Sequence, residues 1–383
     1  MTITFPDGFR AAGVAAGIKS SGAKDLALVV NDGPSRVAAG VFTANRVHAA
    51  PVKWSRQVLS DGQLTAVVLN SGGANACTGP KGFADTHHTA EKVAELLGIG
   101  AAEVAVCSTG LIGEFLPMDA VLSGAEQAVK ELSADLGGAA AEAIMTTDTK
   151  PKSVTWSQDG WGVGGMAKGA GMLAPGLATM LVVLTTDAEI TAETADSALR
   201  EACRLTFDRL DSDGAMSTND TVLLLSSGAS GVAPDPDLFT EILTHACEDL
   251  AQQLLSDAEG STKDVEIEVV NAATEDDAVT VGRSIARNNL VKTALFGKDP
   301  NWGRILAAVG TTDAAFDADE LDVAVNGVWV CRKGAAAEDR SLVDMEERDV
   351  VITVDLHAGD ATATIWTNDL SHAYVHENSA YSS

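Results

Sequence analysis

Short apolar runs of strand-like length recur along the whole chain, with amphipathic stretches between them, and this pattern limits the possible folds most strongly. Three stretches place apolar residues at helical spacing: 85–97, 191–207 and 237–255. The runs that predict strands are 26–30, 64–70, 103–108, 180–185, 221–225, 265–270, 321–331, 350–356 and 361–366. Because both element types are interleaved without strict alternation, the pattern favours α/β layers or an α+β fold over a helical bundle or a barrel.

The composition is that of a globular protein with a large core. The chain has 383 residues, of which 46% are hydrophobic and 21% are charged, so it could form one large domain or two to three ordinary ones. Aromatic residues account for only 4%, so we expect a core built mostly from Ala, Val, Leu and Ile.

The charge balance is strongly acidic and excludes several classes of partner. The chain carries 26 Lys and Arg against 54 Asp and Glu, a net charge of −28, and has no basic run that would bind nucleic acid or an anionic membrane. No stretch approaches the ~20 apolar residues of a membrane span, and residues 1–10 lack the pattern of a secretory signal. The five scattered cysteines form no C-x-x-C pair, which is typical of reduced thiols in a cytoplasmic protein.

The segment 161–176 is the most unusual in the chain, because it contains six glycines and one proline and leads directly into the apolar run 177–184. We expect a sterically open loop that meets a buried strand near Thr179. The segment is not a nucleotide-binding loop. Lys168 is preceded by Ala167 rather than glycine, and a strand rather than a helix follows.

Other common catalytic and metal-binding motifs do not occur. There is no G-x-S-x-G elbow and no H-E-x-x-H zinc motif. The adjacent His87 and His88 would point about 100° apart on a helix, and the acidic turn at 211–214 lacks the spacing of a calcium loop. If the chain is an enzyme, its nucleophile must therefore be activated in a way other than the usual pairing with a histidine.

Four segments rich in glycine and hydroxyl residues together resemble the ornithine acetyltransferase family, the bifunctional glutamate N-acetyltransferases of the cyclic arginine pathway. The resemblance extends over essentially the whole chain, and its most specific part is the long ordered string 168–181. The four segments are 107–114, 145–152, 168–181 and 257–263, and further similar segments are 41–45, 296–304 and 375–383.

The resemblance implies an enzyme that cuts its own chain at the Ala178–Thr179 bond. The products would be an α piece, residues 1–178, and a β piece, residues 179–383, with Thr179 as the N-terminal nucleophile. A threonine hydroxyl needs a base, and a free α-amino group with a pKa of ~7.7–8.0 is partly neutral near pH 7–8, so it can serve. Without the surrounding string, Thr179 would be interpreted as an ordinary β-branched strand residue.

The resemblance also implies further site residues. Thr109 and Gly110 match the pair that stabilises the oxyanion, although a Ser-Thr-Gly sequence after a strand is also typical of a simple turn. Residues that match substrate-binding positions are Thr146 (with Thr147 as the neighbour it could be confused with), Lys168, Thr179, Glu259, Asn378 and Ser383. The alternatives are a solvated loop lysine for Lys168, a surface carboxylate for Glu259 and a frayed terminus for the last two.

The implied reaction moves an acetyl group from N²-acetyl-L-ornithine to Thr179 and then to L-glutamate, with ping-pong kinetics. It requires no metal, nucleotide or organic cofactor. The sequence leaves open whether acetyl-CoA is a second donor. The implied fold is a four-layer αββα sandwich of the α+β class, and the implied assembly is α₂β₂. Alternatives are a self-cleaving aminopeptidase or amidohydrolase, a non-catalytic acidic scaffold, and a secondary-metabolism paralogue with the same chemistry.

Overall fold

A computed structural model of the chain describes residues 2–174 and 180–380. The strands in that part of the chain are β1 (Phe9–Val14), β2 (Leu26–Asn31), β3 (Ala38–Phe42), β4 (Ala66–Ser71), β5 (Val104–Thr109), β6 (Lys152–Gln158), β7 (Trp161–Lys168), β8 (Leu181–Thr186), β9 (Thr221–Ser226), β10 (Asp264–Ala272), β11 (Asp322–Val325), β12 (Val328–Arg332), β13 (Ala335–Ala336), β14 (Asp349–Asp355) and β15 (Ala361–Asn368). The helices are α1 (Ala50–Val58), α2 (Gly79–Leu97), α3 (Met118–Glu131), α4 (Gly137–Ala143), α5 (Ala192–Leu205), α6 (Pro236–Ser256), α7 (Glu275–Ala286), α8 (Asn289–Phe296), α9 (Trp302–Val309) and α10 (His372–Ala380).

These strands form three mixed sheets. The first has the order β1-β2-β4-β5, the second β3-β9-β8-β7-β6, and the third β13-β12-β11-β14-β10-β15. Each sheet combines antiparallel pairs with one parallel pair: β4 with β5, β8 with β9, and β10 with β14. The α+β class expected from the sequence is therefore confirmed.

The first two sheets pack face to face between helices. One hydrophobic cluster joins the first sheet and the helices α2 and α3 to one face of the second sheet, represented by Met166, Val183 and Leu223. The opposite face of the second sheet packs against α5 and α6. Its side chains include those of Ala167 and Val182, which alternate along the strands with the residues of the first face. The order of layers is therefore helix, sheet, sheet, helix, as the resemblance implied.

The third sheet was not foreseen. Its inner face packs on α7 and α9 in a separate hydrophobic cluster that contains Val265, Ile267 and Ile352. The apolar run 321–331 on this sheet is two strands rather than one. Asn326 and Gly327 have φ values of +47° and +79° and turn the chain between β11 and β12.

The glycine-rich segment differs from the loop that we expected. Its first half is the strand β7, every residue of which is buried. Glycine is required there by close packing: a Cβ atom on Gly164 would lie 2.6 Å from the carbonyl oxygen of Thr2. This strand ends at Lys168, which is paired with Leu181 at the start of β8. The fold thus places Lys168 next to the beginning of the second piece of the chain.

Two further expectations concern the whole molecule. All five cysteines are free thiols, and only Cys77 is exposed. Within residues 2–174 and 180–380, no helix combines the length and apolar character that a membrane span requires.

Candidate active site

A cavity of about 90 Å³ collects most of the residues that the sequence singled out. The residues that line it come from five separate parts of the chain, the first at the end of β5 and the last in α10. The lining residues are Thr109, Gly110, Thr146, Thr147, Lys168, Gly171, Met172, Glu259 and Asn378. The cavity thus contains six of the predicted site residues. It also contains Thr147, the neighbour that the sequence could not distinguish from Thr146.

Thr109 and Gly110 stand at the end of β5, where the chain leaves the first sheet. The Thr109 carbonyl oxygen accepts a hydrogen bond of 3.0 Å from the Gly73 N–H. Gly110 has a φ of +134°, and a Cβ atom there would lie 2.5 Å from the Gly73 nitrogen. Only glycine fits this backbone. The turn after β5 therefore has a fixed backbone shape, and in this turn Thr109 and Gly110 both line the cavity.

Lys168 is buried in the wall of the cavity, with 2% of its surface exposed. Its ammonium group donates a hydrogen bond of 3.3 Å to the Thr109 hydroxyl. Burial lowers the pKa of Lys168; nearby Asp148 opposes this shift, and Lys152 adds to it. The alternative of a solvated loop lysine is wrong, because Lys168 ends a buried strand.

A buried ion network supports this wall, and the sequence analysis missed it. Lys152 has no exposed surface and donates hydrogen bonds of 2.6 Å to both Asp148 and Asp257. Asp148 also accepts the N–H groups of Thr146 (2.9 Å) and Gly169 (2.7 Å). Asp148 thereby connects the threonine segment to the residue that follows Lys168.

The charges around Asp148 decide its protonation state. Burial alone would raise the pKa of Asp148, but Lys168 and Lys152, helped by the hydrogen bonds it accepts, lower that pKa to about 2. The carboxylate is therefore ionised at neutral pH and neutralises part of the positive charge behind the cavity.

Glu259 forms another part of the cavity wall. Its N–H donates to the Ala170 carbonyl oxygen at 2.8 Å, and its carboxylate accepts a hydrogen bond of 2.9 Å from the Asn378 side chain. Gly171 leaves room for this carboxylate, since a Cβ atom there would lie 2.6 Å from a Glu259 oxygen in its present position. Glu259 is only 9% exposed, so it is not the surface carboxylate that the alternative describes.

A further buried carboxyl, on Asp220, lies where β8 begins. It accepts a hydrogen bond of 3.2 Å from the Met180 N–H. Burial raises the pKa of Asp220 well above its usual range, although the Met180 N–H, the Ser217 hydroxyl and Lys168 favour the charged form. No sequence motif pointed to Asp220. The parallel register of β8 and β9 brings it beside Met180.

Three predicted residues, Ala178, Thr179 and Ser383, lie outside the residues that the structure describes. The cleavage site and the nucleophile therefore remain predictions. So do the roles of the residues that line the cavity.

The model of the ArgJ family matches residues 10–383. The chain belongs to the ArgJ family. The arginine biosynthesis bifunctional protein ArgJ of Streptomyces coelicolor is 69% identical over 383 residues and is covered completely by this chain. The protein of the same name from Mycobacterium tuberculosis is 61% identical over 389 residues, which cover 100% of this chain and 96% of the relative.

Two solved ArgJ-type structures are also similar. One is the ornithine acetyltransferase of Mycobacterium tuberculosis complexed with ornithine, 62% identical, which covers 47% of this chain and 96% of its own with a TM-score of 0.45. The other is the ArgJ of Bacillus halodurans, 35% identical, covering 51% and 97% with a TM-score of 0.49.

The ArgJ family membership decides between the broad alternatives from the sequence. The full-length match at 69% identity to an ArgJ protein shows that this chain is an acetyltransferase of arginine biosynthesis. The interpretations as an aminopeptidase or as a non-catalytic scaffold are therefore not retained.

Proposed function

We propose that this chain cleaves itself between Ala178 and Thr179 and then carries acetyl groups from N²-acetyl-L-ornithine to L-glutamate on Thr179. The observation that carries the proposal is the cavity in which Thr109, Lys168 and Glu259 meet. These residues come from both sides of position 179, and Met180 is held nearby by Asp220.

The two pieces, 1–178 and 179–383, would stay together after cleavage. The second sheet supports this, because β3, β6 and β7 come from the first piece while β8 and β9 come from the second. β7 and β8 are hydrogen-bonded neighbours over six residue pairs, from Val163–Thr186 to Lys168–Leu181. Separation would expose a hydrophobic core, so α and β form one catalytic unit. The proposed assembly is α₂β₂.

The first half of the reaction makes an acetyl-enzyme. The Thr179 hydroxyl oxygen attacks the acetyl carbonyl carbon of N²-acetylornithine, and its proton passes to the neighbouring α-amine. The Thr109 hydroxyl and the Gly110 N–H hold the negative oxygen of the tetrahedral intermediate. When the carbon–nitrogen bond breaks, the departing amine takes the proton and ornithine leaves.

The second half reverses these roles with another amine. The α-amine of glutamate attacks the acetyl-threonine ester, its proton returns to Thr179, and N-acetylglutamate is released. Both substrates carry an α-carboxylate and an α-nitrogen, so one small polar cavity can accept them in turn.

The charges in the cavity suit these amino-acid substrates. Lys168 can pair with the substrate carboxylate, and the Thr146 hydroxyl can donate to it. The Glu259 carboxylate, supported by Asn378, can accept an ammonium group. Ser383 would add a hydroxyl from the end of the chain.

The experiment that tests this proposal is mass spectrometry after the enzyme is mixed with N²-acetylornithine and no glutamate. The piece 179–383 should gain the mass of one acetyl group, and adding glutamate should remove it. The Thr179→Ala variant should stay as one unacetylated chain. Turnover of wild-type protein without acetylation of the 179–383 piece would contradict the proposal.

A further inference from the structure

The side chain of Asp220 is completely buried beside the start of β8. One of its carboxyl oxygens, Oδ1, accepts the hydrogen bond of 3.2 Å from the Met180 N–H. The other oxygen, Oδ2, accepts no hydrogen bond from residues 2–174 and 180–380. Buried polar atoms almost always have a hydrogen-bond partner, so an unpaired carboxyl oxygen at this depth needs an explanation.

The hydrogen bond to Met180 does not by itself explain an aspartate at position 220. The side-chain oxygen of an asparagine could accept the same N–H without bringing a group that can become charged into the interior. Burial raises the pKa of Asp220, and this effect outweighs the Met180 N–H and the Ser217 and Thr43 hydroxyls, which favour the charged form. A positive charge beside the carboxyl group would reverse that balance.

The charged side chain that acts on Asp220 is that of Lys168, at the end of β7. Its ammonium group donates its hydrogen bond to the Thr109 hydroxyl, and Asp148 and Glu259 also favour its charged form. Lys168 therefore leaves the second oxygen of Asp220 unpaired. The interaction nevertheless shows that Asp220 lies within electrostatic reach of the cavity wall that contains Thr109.

The backbone of Met180 is held at both of its polar groups. Its N–H donates to Asp220, and its carbonyl oxygen accepts a hydrogen bond of 3.1 Å from the N–H of Thr221, the residue after Asp220. The α-nitrogen of residue 179 is joined to the Met180 nitrogen by three covalent bonds, which span at most about 4 Å. Thr179 lies outside the described residues, but this covalent linkage keeps its α-nitrogen near the Asp220 carboxyl group.

We propose that Asp220 is the positioning residue for the α-amine that self-cleavage creates on Thr179. The inference rests on the proposed function, because that function supplies the amine. In the uncut chain, the nitrogen of residue 179 belongs to an uncharged amide. Cleavage turns it into an amine that can become an ammonium group, and the Asp220 carboxylate pairs with this ammonium. The site then has a nucleophile, a base and a third group that orients the base, the arrangement typical of activated nucleophiles.

The pairing acts during formation of the acetyl-enzyme. When the Thr179 hydroxyl oxygen bonds to the acetyl carbon, its proton moves to the α-amine and makes an ammonium group. The Asp220 carboxylate stabilises this ammonium until it gives the proton to the departing amine of ornithine. Asp220 takes up no proton in these steps and contacts no substrate atom, so it acts only through the base.

The test measures how the rate of acetyl-enzyme formation from N²-acetylornithine, without glutamate, depends on pH. Asp220→Asn keeps the size of the side chain and an acceptor for the Met180 N–H but removes the charge. Without the carboxylate the ammonium form of the α-amine is less stable, so the pKa of the amine falls. The acid limb of the rate should move to lower pH by about one pH unit, and the plateau rate should fall about tenfold.

Asp187→Asn is the matched control. Asp187 is also buried and accepts a backbone N–H, that of Gly162 at 2.8 Å, but it lies at the opposite end of β7 from Lys168. This variant should keep the wild-type pH profile. A wild-type profile in Asp220→Asn would overturn the proposal. An Asp220→Asn protein that is folded by circular dichroism but stays uncut would overturn it as well, because Asp220 would then act before the amine exists.

Infrared spectroscopy gives a second test that needs no substitution at position 220. Because burial raises the pKa of Asp220, the uncut Thr179→Ala protein should show the carbonyl band of a protonated aspartate at neutral pH, assigned by carbon-13 labelling of aspartate. The band should be missing from the cut wild-type protein, in which the ammonium group pairs with the carboxylate. The same band in both proteins would overturn the proposal. A wild-type chain that is not cut, or not acetylated on the 179–383 piece, would instead contradict the proposed function.

Discussion

The ammonium group of Lys168 lies 3.3 Å from the hydroxyl of Thr109, and both side chains are almost completely buried. This contact joins the end of β7 to the end of β5, so it connects the second sheet to the first. It also places a positive charge beside the hydroxyl that we propose for the oxyanion site, where this charge would stabilise developing negative charge.

Lys168→Met should therefore lower kcat by about 10²-fold, the effect typical of one lost electrostatic contact to an oxyanion. Steady-state kinetics with both substrates will measure it. An increase confined to KM would show that Lys168 only binds the substrate carboxylate.

Gly110→Ala should abolish most turnover through the backbone. The φ of +134° and the contact of 2.5 Å with the Gly73 nitrogen leave no room for a methyl group, so the N–H at position 110 must move. We expect kcat to fall by about 10²–10³-fold, the effect of one misplaced oxyanion donor. Circular dichroism should show a folded protein, and an unchanged kcat would argue against this oxyanion assignment.

Lys152→Met should strongly destabilise the protein. It leaves the buried carboxylates Asp148 and Asp257 without their shared cation, a change that typically costs about 3–5 kcal/mol. The matched control is Lys24→Met, which breaks an exposed pair with Glu142 and should cost no more than about 1 kcal/mol. Urea unfolding will measure both, and equal effects would contradict a structural role for the buried network.

The low pKa of Asp148 predicts how stability depends on pH. Because the folded pKa of about 2 lies below the ordinary 3.8, the ionised form stabilises the fold, fully so above pH 3.8. That contribution, about 2 kcal/mol, should be lost as the pH falls from 3.8 towards 2. Free energies of unfolding for wild type and Asp148→Asn should converge over this range. A difference that does not depend on pH would contradict the assignment.

Local patterns predicted much of the fold. The runs at 265–270 and 350–356 are the strands β10 and β14, because their residues are apolar on at least one face over the required length. Pairing partners and the third sheet could not be predicted, since nothing in a single run specifies its neighbour. β7 was missed because glycines that allow close packing within a sheet cannot be told from those of a loop.

In the candidate site, too, some residues were predicted from the sequence and others were not. Thr109, Lys168 and Glu259 were found through family resemblance, and the fold brings them together. Lys152 and Asp257 lie 105 residues apart in sequence, and Asp220 reaches Met180 only through the register of two parallel strands. Such contacts arise from tertiary structure and leave no local signal.

The central claim, that the chain breaks before Thr179 to release a nucleophile with its own base, is tested most directly by N-terminal sequencing of the active protein. The account predicts two N-termini, one at the start of the chain and one that reads Thr-Met-Leu-Val from position 179. A single N-terminus on a fully active, intact chain would contradict it.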